Sequence, residues 1–443
     1  MNSLFITINT ITQKLKILHI CESYAPDYGG GAAVYIQDVC KFLVRRGHEV
    51  RVLCTEKNDT LPYTLRTDYD EQIQIDRINL PYFRTNDPEG WQLGITKWRE
   101  HEKKISYLIS EYVDEWKPDI INYNTTRPFG EEIFFTISKR AIPIVALLHE
   151  GWLICLRLMF LQSPLENACS GPSNLKCLIC MHSHYDGKFY KALVKLPWRV
   201  VKFRRYLLYR LRRRLEASKK LNGAIAYSNF MYKLHKPHLN GKVKHIPLGL
   251  DLTNLPDNRP SRPRKPLRFG FIGGSQPNKG LFHILDSAVT LKNEGLQFQI
   301  KIWGNNQEIC WKEIEARNLE KHVSLGGVYQ AHQLWEVYNE IDVALMATLV
   351  SEPFGRVPIE AAAVGAITIA PAIGGITESI RNEVDGLTYH FREQKDLENK
   401  MRRILTEKGL YELLQANLKP VINTKDAVKE VERFYYEVLV TKT

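Results

Sequence analysis

Glu352-Pro-Phe-Gly-Arg-Val-Pro-Ile-Glu360 sets two glutamates with seven residues between them, and its surroundings decide what they can do. An apolar run, Asp342–Met346, precedes it, and an alanine-rich helical pattern, Ile359–Val364, follows. Gly355 suits a helix cap, and Pro358 suits a first helical turn, where a missing N–H is no loss. The spacing predicts Glu352 in a loop beyond a strand and Glu360 one or two turns into a helix. At helical rise the two stand about 12 Å apart, a span that suits the two ends of a nucleotide sugar with the helix N-terminus facing its diphosphate. The alternative is two solvated acids near a helix start, where acids are common.

Outward from this stretch, short apolar runs rich in β-branched residues alternate with helical patterns. Leu15–Cys21 reads as a buried strand, followed by the triplet Gly29–Gly31 and a helical stretch, Ala32–Arg46. The cycle repeats with strands at Glu49–Cys54, Ile120–Tyr123, Ile144–Leu148, Gly223–Tyr227 and Val243–Ile246. Pro256, Pro260, Pro263 and Pro266 then punctuate a polar stretch that sustains neither helix nor central strand. The alternation restarts at Leu267–Ile272, Phe298–Ile302, Val343–Met346 and Ala366–Ala370, with a last helical run at Asp426–Leu439. Such alternation marks βαβ units, so we expect an α/β protein of two doubly wound, Rossmann-like domains. Their bounds are 15–252 and 267–424, with a linker over 253–266 and a C-terminal helix over 425–443 crossing back to the first.

The chain has 443 residues, 44% of them apolar and 25% charged, which excludes a disordered, collagen-like or disulfide-stapled protein and exceeds one ordinary core. The formal net charge of +12 calls for an anionic partner. The longest uncharged segment, Ala361–Thr377, is broken by Gly365, Pro371, Gly374 and Gly375 and falls short of the ~20 residues that span a bilayer. No charge precedes Lys14, so the basic start of a signal peptide is missing and residues 1–13 read as a loose extension. Eight cysteines without a secretory signal point to a reducing, cytoplasmic setting.

The stretch Glu352 to Gly365, with Gly374-Gly375, Glu378 and Asp385-Gly386, resembles the retaining glycosyltransferases of family 4, whose fold is termed GT-B. Gly29–Gly31, His149, Pro247-Leu-Gly249-Leu-Asp251 and Lys279-Gly280 extend the likeness over nearly the whole chain. The resemblance implies two Rossmann-like domains facing each other across a cleft. It puts Glu352 on the donor sugar's hydroxyls, Glu360 on the ribose, and the backbone around Phe354, Gly355, Arg356 and Val357 on sugar and phosphates. Lys279, in the loop opened by Gly273, matches a diphosphate-binding lysine, where a cation neutralises charge growing on the leaving group. The family often has an arginine where this chain has Gly274, so one cation is missing, and Arg356 is the candidate substitute. His149, after the Ile144–Leu148 run, matches a histidine close to the donor sugar and is read as positioning substrate. Gly30 and Gly31 would let backbone N–H groups approach a phosphate, or would form only a tight turn. The family's chemistry is front-face substitution, with the departing phosphate helping to take the acceptor proton and no protein nucleophile.

Three further features stand outside that pattern. Asp68-Tyr69-Asp70 has a metal-holding form, but cations need ligands from several segments, so it reads as a solvated acidic loop and no metal is expected. Cys177-x2-Cys180, with Cys155, Cys169, His182 and His184 nearby, partly matches a zinc site; the alternatives are buried thiols or a redox-labile pair. Lys188–Lys220 holds thirteen lysines and arginines against the single acid Glu216, a surplus equal to that of the whole chain. With Trp198, Phe203 and several leucines interleaved, it reads as lying on an anionic membrane surface, or else as a solvated helix face; no nucleic-acid-binding signature accompanies it.

The expected function is retaining, metal-independent transfer of a sugar from a nucleotide diphosphate sugar to a glycan or lipid-linked glycan acceptor in cell-surface polysaccharide biosynthesis. The donor is a substrate, and no cofactor is required. The enzyme would sit peripherally on the inner face of the cytoplasmic membrane. The alternatives are another GT-B reaction, such as a nucleotide-sugar epimerase or phosphorylase, or a non-catalytic membrane or nucleic-acid-binding protein.

Overall fold

Unbroken apolar runs become the central strands of two sheets. The computed structural model describes residues 13–26, 30–56, 61–80, 94–125, 127–163, 167–184, 197–257 and 262–441. Strands β1 (Lys16–Ile20), β2 (Glu49–Glu56), β3 (Leu65–Asp70), β4 (Ile73–Asn79), β5 (Ile120–Tyr123) and β6 (Ile144–Leu148) come first. A short ribbon, β7 (Leu161–Gln162) with β8 (Asn167–Ala168), precedes β9 (Gly223–Ala226) and β10 (Lys242–His245). The second sheet is built from β11 (Leu267–Ile272), β12 (Phe298–Trp303), β13 (Val323–Gly327), β14 (Val343–Leu345), β15 (Ile367–Pro371) and β16 (Leu387–Tyr389). Sheet orders are β10-β9-β6-β5-β1-β2-β4-β3 and β13-β12-β11-β14-β15-β16.

The chain divides into two compact units. One comprises 1–146, 220–223 and 432–443; the other comprises 147–219 and 224–431. In the first, β1 pairs in parallel with β2 and β5, and only β3 runs antiparallel, at the edge. Residues 432–443 belong to this unit: Glu432 takes Arg46 at 2.6 Å and His48 at 2.8 Å, and Asn122 bonds to the Tyr435 hydroxyl. Gly223 is required there, because a Cβ would come within 2.9 Å of both Phe434 and Val438.

Every neighbour pair of the second sheet is parallel, from Leu267↔Phe298 to Ile369↔Leu387. Its order reverses between β11 and β14, and in open α/β sheets the crevice beyond the carboxyl ends of the strands at such a reversal is where ligands bind. The core on both faces packs Phe269, Ile300, Val343 and Ile367 against Leu285, Ile314, Met401 and Leu414. The proline-punctuated stretch is tied down at its far end, where Arg262 donates to Ile341 O and Val364 O, and Arg264 pairs with buried Asp342 at 2.8 Å. Residues 258–261 and 1–12 lie outside the described set.

Asp68 and Asp70 are not in a loop. They lie on edge strand β3, where Asp68 faces Arg77 at 3.5 Å and Asp70 pairs with Lys41 at 3.2 Å and accepts from Gln37 at 2.7 Å. The strand was illegible because its side chains are mostly solvent-facing and polar, which hides a period of two. Among the described residues no helix is long and apolar enough to cross a membrane.

Candidate functional site

The loops after β11 and β14 meet at the reversal of the second sheet. Gly273 and Gly274 both donate to Trp303 O, at 3.0 and 2.9 Å. Gly274 has φ +53°, and a Cβ there would stand 2.2 Å from Asn305 O, so the backbone leaves no place for an arginine. The loop continues through a single turn, Pro277–Lys279, to Gly280, whose φ of +76° and close approach to Ala347 O again require glycine. This seats Lys279 Nζ 2.8 Å from Glu352 Oε1, to which Thr348 Oγ1 also donates at 3.2 Å.

The Glu352–Gly355 backbone is gripped from several sides. Gly375 N donates to Glu352 O at 2.8 Å, and Cβ atoms at Gly374 and Gly375 would approach Glu352 O and Pro353 O to 2.5 and 2.0 Å. The glycine pair therefore exists to let two loops touch. Ser228 Oγ donates to Pro353 O at 2.5 Å, and Ser379 Oγ to Phe354 O at 3.4 Å. Glu378 accepts from the amides of Asn229 and Phe230, both at 2.7 Å, satisfying donors left over at the start of the Asn229–His235 helix.

Gly355, at φ +85°, caps the Arg356–Val364 helix as its spacing predicts, with Pro358 in the first turn. Glu360 lies more than one turn in, nearly buried, with Arg356 Nε donating to one carboxylate oxygen at 2.8 Å and Tyr338 OH to the other at 2.7 Å. Burial first, and then the Glu360 charge, hold the Tyr338 phenol far above its ordinary pKa, so it remains a donor. Arg356 and Glu360 form one stripe; Pro358 and Ala362 form another about 200° around the helix, lining a cavity of about 520 Å³ with Phe354, Glu378, Leu248 and Thr368.

The structure thus joins Lys279 to Glu352 and Arg356 to Glu360, with Gly273, Phe354, Gly355 and Val357 in the connecting backbone. His149 follows β6 and packs against Tyr227, ring centroids 4.9 Å apart. Gly30 caps the Gly31–Arg45 helix in the first unit, where a Cβ would meet nothing within 4 Å; Gly29 lies outside the described residues. Tyr338 and Ser228 had no sequence signal, because each reaches the site from far along the chain, and Thr348, four residues before Glu352, belongs to no recognisable motif. Cys180 Sγ lies 3.3 Å from Ser163 N, and burial pushes the Cys155 thiol up to about 12. Among the described residues no three potential metal ligands converge.

Comparison with known proteins matches "Glycosyltransferase Family 4" to residues 29–254 and "Glycosyl transferases group 1" to residues 256–419. The chain belongs to glycosyltransferase family 4. A relative from the cps region of Klebsiella pneumoniae, described as an uncharacterized 42.6 kDa protein, is 22% identical over 83% of this chain and 88% of its own. An uncharacterized glycosyltransferase of Methanocaldococcus jannaschii is 29% identical over 27% of this chain and 29% of its own length. Among solved structures, sucrose-phosphate synthase from Thermosynechococcus elongatus covers 97% of this chain and 100% of its own at 16% identity, TM-score 0.63. Anabaena HepE in complex with UDP and glucose covers 96% of this chain and 100% of its own at 16% identity, TM-score 0.61. This family 4 chain therefore has the GT-B fold of two Rossmann-like domains.

Proposed function

We propose that this family 4 glycosyltransferase moves a sugar, with retention, from a nucleotide diphosphate sugar to a glycan or lipid-linked glycan acceptor in polysaccharide assembly. The observation that carries the reading is the pair of cation-matched glutamates, Lys279–Glu352 and Arg356–Glu360, at the sheet reversal. The cps-region setting of the Klebsiella relative supports the pathway class. In this reading 267–424 holds the donor and 15–252 takes the acceptor. Glu352 binds the sugar hydroxyls and Glu360 the ribose, while Lys279 and Arg356 turn toward the diphosphate, the second in place of the arginine that Gly274 excludes. Amides at Phe354–Val357 complete the cradle at the helix N-terminus. His149 positions the sugar, and Gly30 and Gly31 approach its phosphates. The leaving phosphate helps to take the acceptor proton, and the reading calls for neither a metal nor a cofactor.

The enzyme docks peripherally on an anionic leaflet through the Lys188–Lys220 segment. Within it the Pro197–Ser218 helix turns Arg210 and Arg214 inward, bonding to Tyr206 OH and Cys155 O, while Arg204, Arg205 and Arg212 are exposed. Residues 188–196 and the side chains of Trp198 and Phe203 lie outside the described set.

Calorimetry with a panel of nucleotide sugars, with transfer followed by product anomeric configuration, tests the donor reading. Glu360→Ala should weaken donor binding by about 1.5–3 kcal/mol, the worth of hydrogen bonds to a charged group. Glu352→Ala should lower turnover more than affinity. EDTA should leave transfer intact. Wild-type turnover in Glu352→Ala, or an inverted product, refutes the assignment.

A further inference from the structure

The docking described above rests on cations, and a second helix supplies what they lack. Asn174–His184 reads Asn-Leu-Lys-Cys-Leu-Ile-Cys-Met-His-Ser-His, apolar on most sides, yet from Asn174 to Met181 only Met181 is buried. Leu175 is 70% exposed and Ile179 48%, and at four residues' spacing they form one ridge. Helices apolar all round are normally covered, and an uncovered aliphatic ridge marks a contact surface. This helix touches the Pro197–Ser218 helix, whose exposed side carries Arg204, Arg205 and Arg212 with Val201 half-exposed among them.

We propose that Leu175 and Ile179 insert into the boundary between headgroups and acyl chains of an anionic membrane, while the neighbouring arginines hold the lipid phosphates. This rests on the membrane reading above and adds its apolar half. Charge selects the occupant. A second copy of this chain would bring the same cationic surface against itself, with a net charge of +12 on each molecule, whereas anionic lipid offers the opposite sign together with an apolar interior. Insertion of aliphatic side chains also makes attachment partly independent of salt, because burying apolar surface is not screened.

The test is co-sedimentation of the full chain with phosphatidylcholine vesicles, with and without phosphatidylglycerol, at low and high salt. The expected result is binding that needs phosphatidylglycerol, with a fraction surviving high salt. Leu175→Ser with Ile179→Ser should abolish that fraction and weaken low-salt binding about tenfold or more. Arg205→Gln with Arg212→Gln should weaken low-salt binding while the donor affinity of both variants stays unchanged. A Leu175/Ile179 variant that binds like wild type overturns the ridge and leaves the cationic docking standing. Wild type that ignores phosphatidylglycerol at low salt overturns both. A wild-type dimer in gel filtration that the Leu175/Ile179 variant converts to monomer also overturns the proposal, assigning the ridge to a contact between copies.

Discussion

At the residue scale, Gly274 separates what a motif suggests from what a backbone permits. Against the family pattern the sequence lacks an arginine there, and the structure gives the reason: left-handed backbone and the Asn305 carbonyl occupy the space. Gly274→Arg should not improve donor affinity. It should instead lower stability by about 1–3 kcal/mol, the range for a side chain held in a sparsely populated region, read as a shift in the urea midpoint. Tighter donor binding in that variant would show that the loop yields and that Arg356 is not the second cation. Glu352 and Glu360 were legible because their spacing survives in one dimension. Tyr338, 22 residues from Glu360 and hydrogen-bonded to it, was not.

At the element scale, strands that are apolar along their whole length were legible with boundaries good to a residue or two, as for β6. β13 and β16 were missed because Val-Ser-Leu-Gly-Gly and Leu-Thr-Tyr are too short and mixed to show a period. The charge of the Pro197–Ser218 helix was countable, but which arginines face inward depends on a partner surface that no local pattern specifies. Glu378 shows one element holding another: its carboxylate closes the start of the Asn229–His235 helix, next to Ser228, which holds Pro353. Glu378→Ala leaves two amides without that acceptor and should cost about 1–3 kcal/mol in unfolding free energy. Because Ser228 moves with that helix, donor affinity should fall as well, and Glu378→Gln should restore part of both. Unchanged donor affinity in Glu378→Ala would sever the helix from the site.

At the scale of the whole molecule, acid sensitivity is built into both units. His19 in the first and His235 in the second are fully buried, and desolvation lowers their pKa values to about 3 and about 4. Both are neutral in the fold and gain a proton on unfolding below about pH 6.5, so stability falls as pH drops from 6.5 toward 4. Each should remove about 2 kcal/mol by pH 5 relative to pH 7, measurable from denaturant midpoints at the two pH values. A flat profile between them would mean that the histidines are hydrated. The placement of residues 432–443 bears on biosynthesis. The first unit takes in Glu432 and Tyr435, residues translated only after the entire second sheet has emerged. Until then the surface that Phe434 and Val438 later cover beside Gly223 stands open. A nascent chain must therefore carry an incomplete first unit while it builds the second, and in that interval the open face is a target for chaperones.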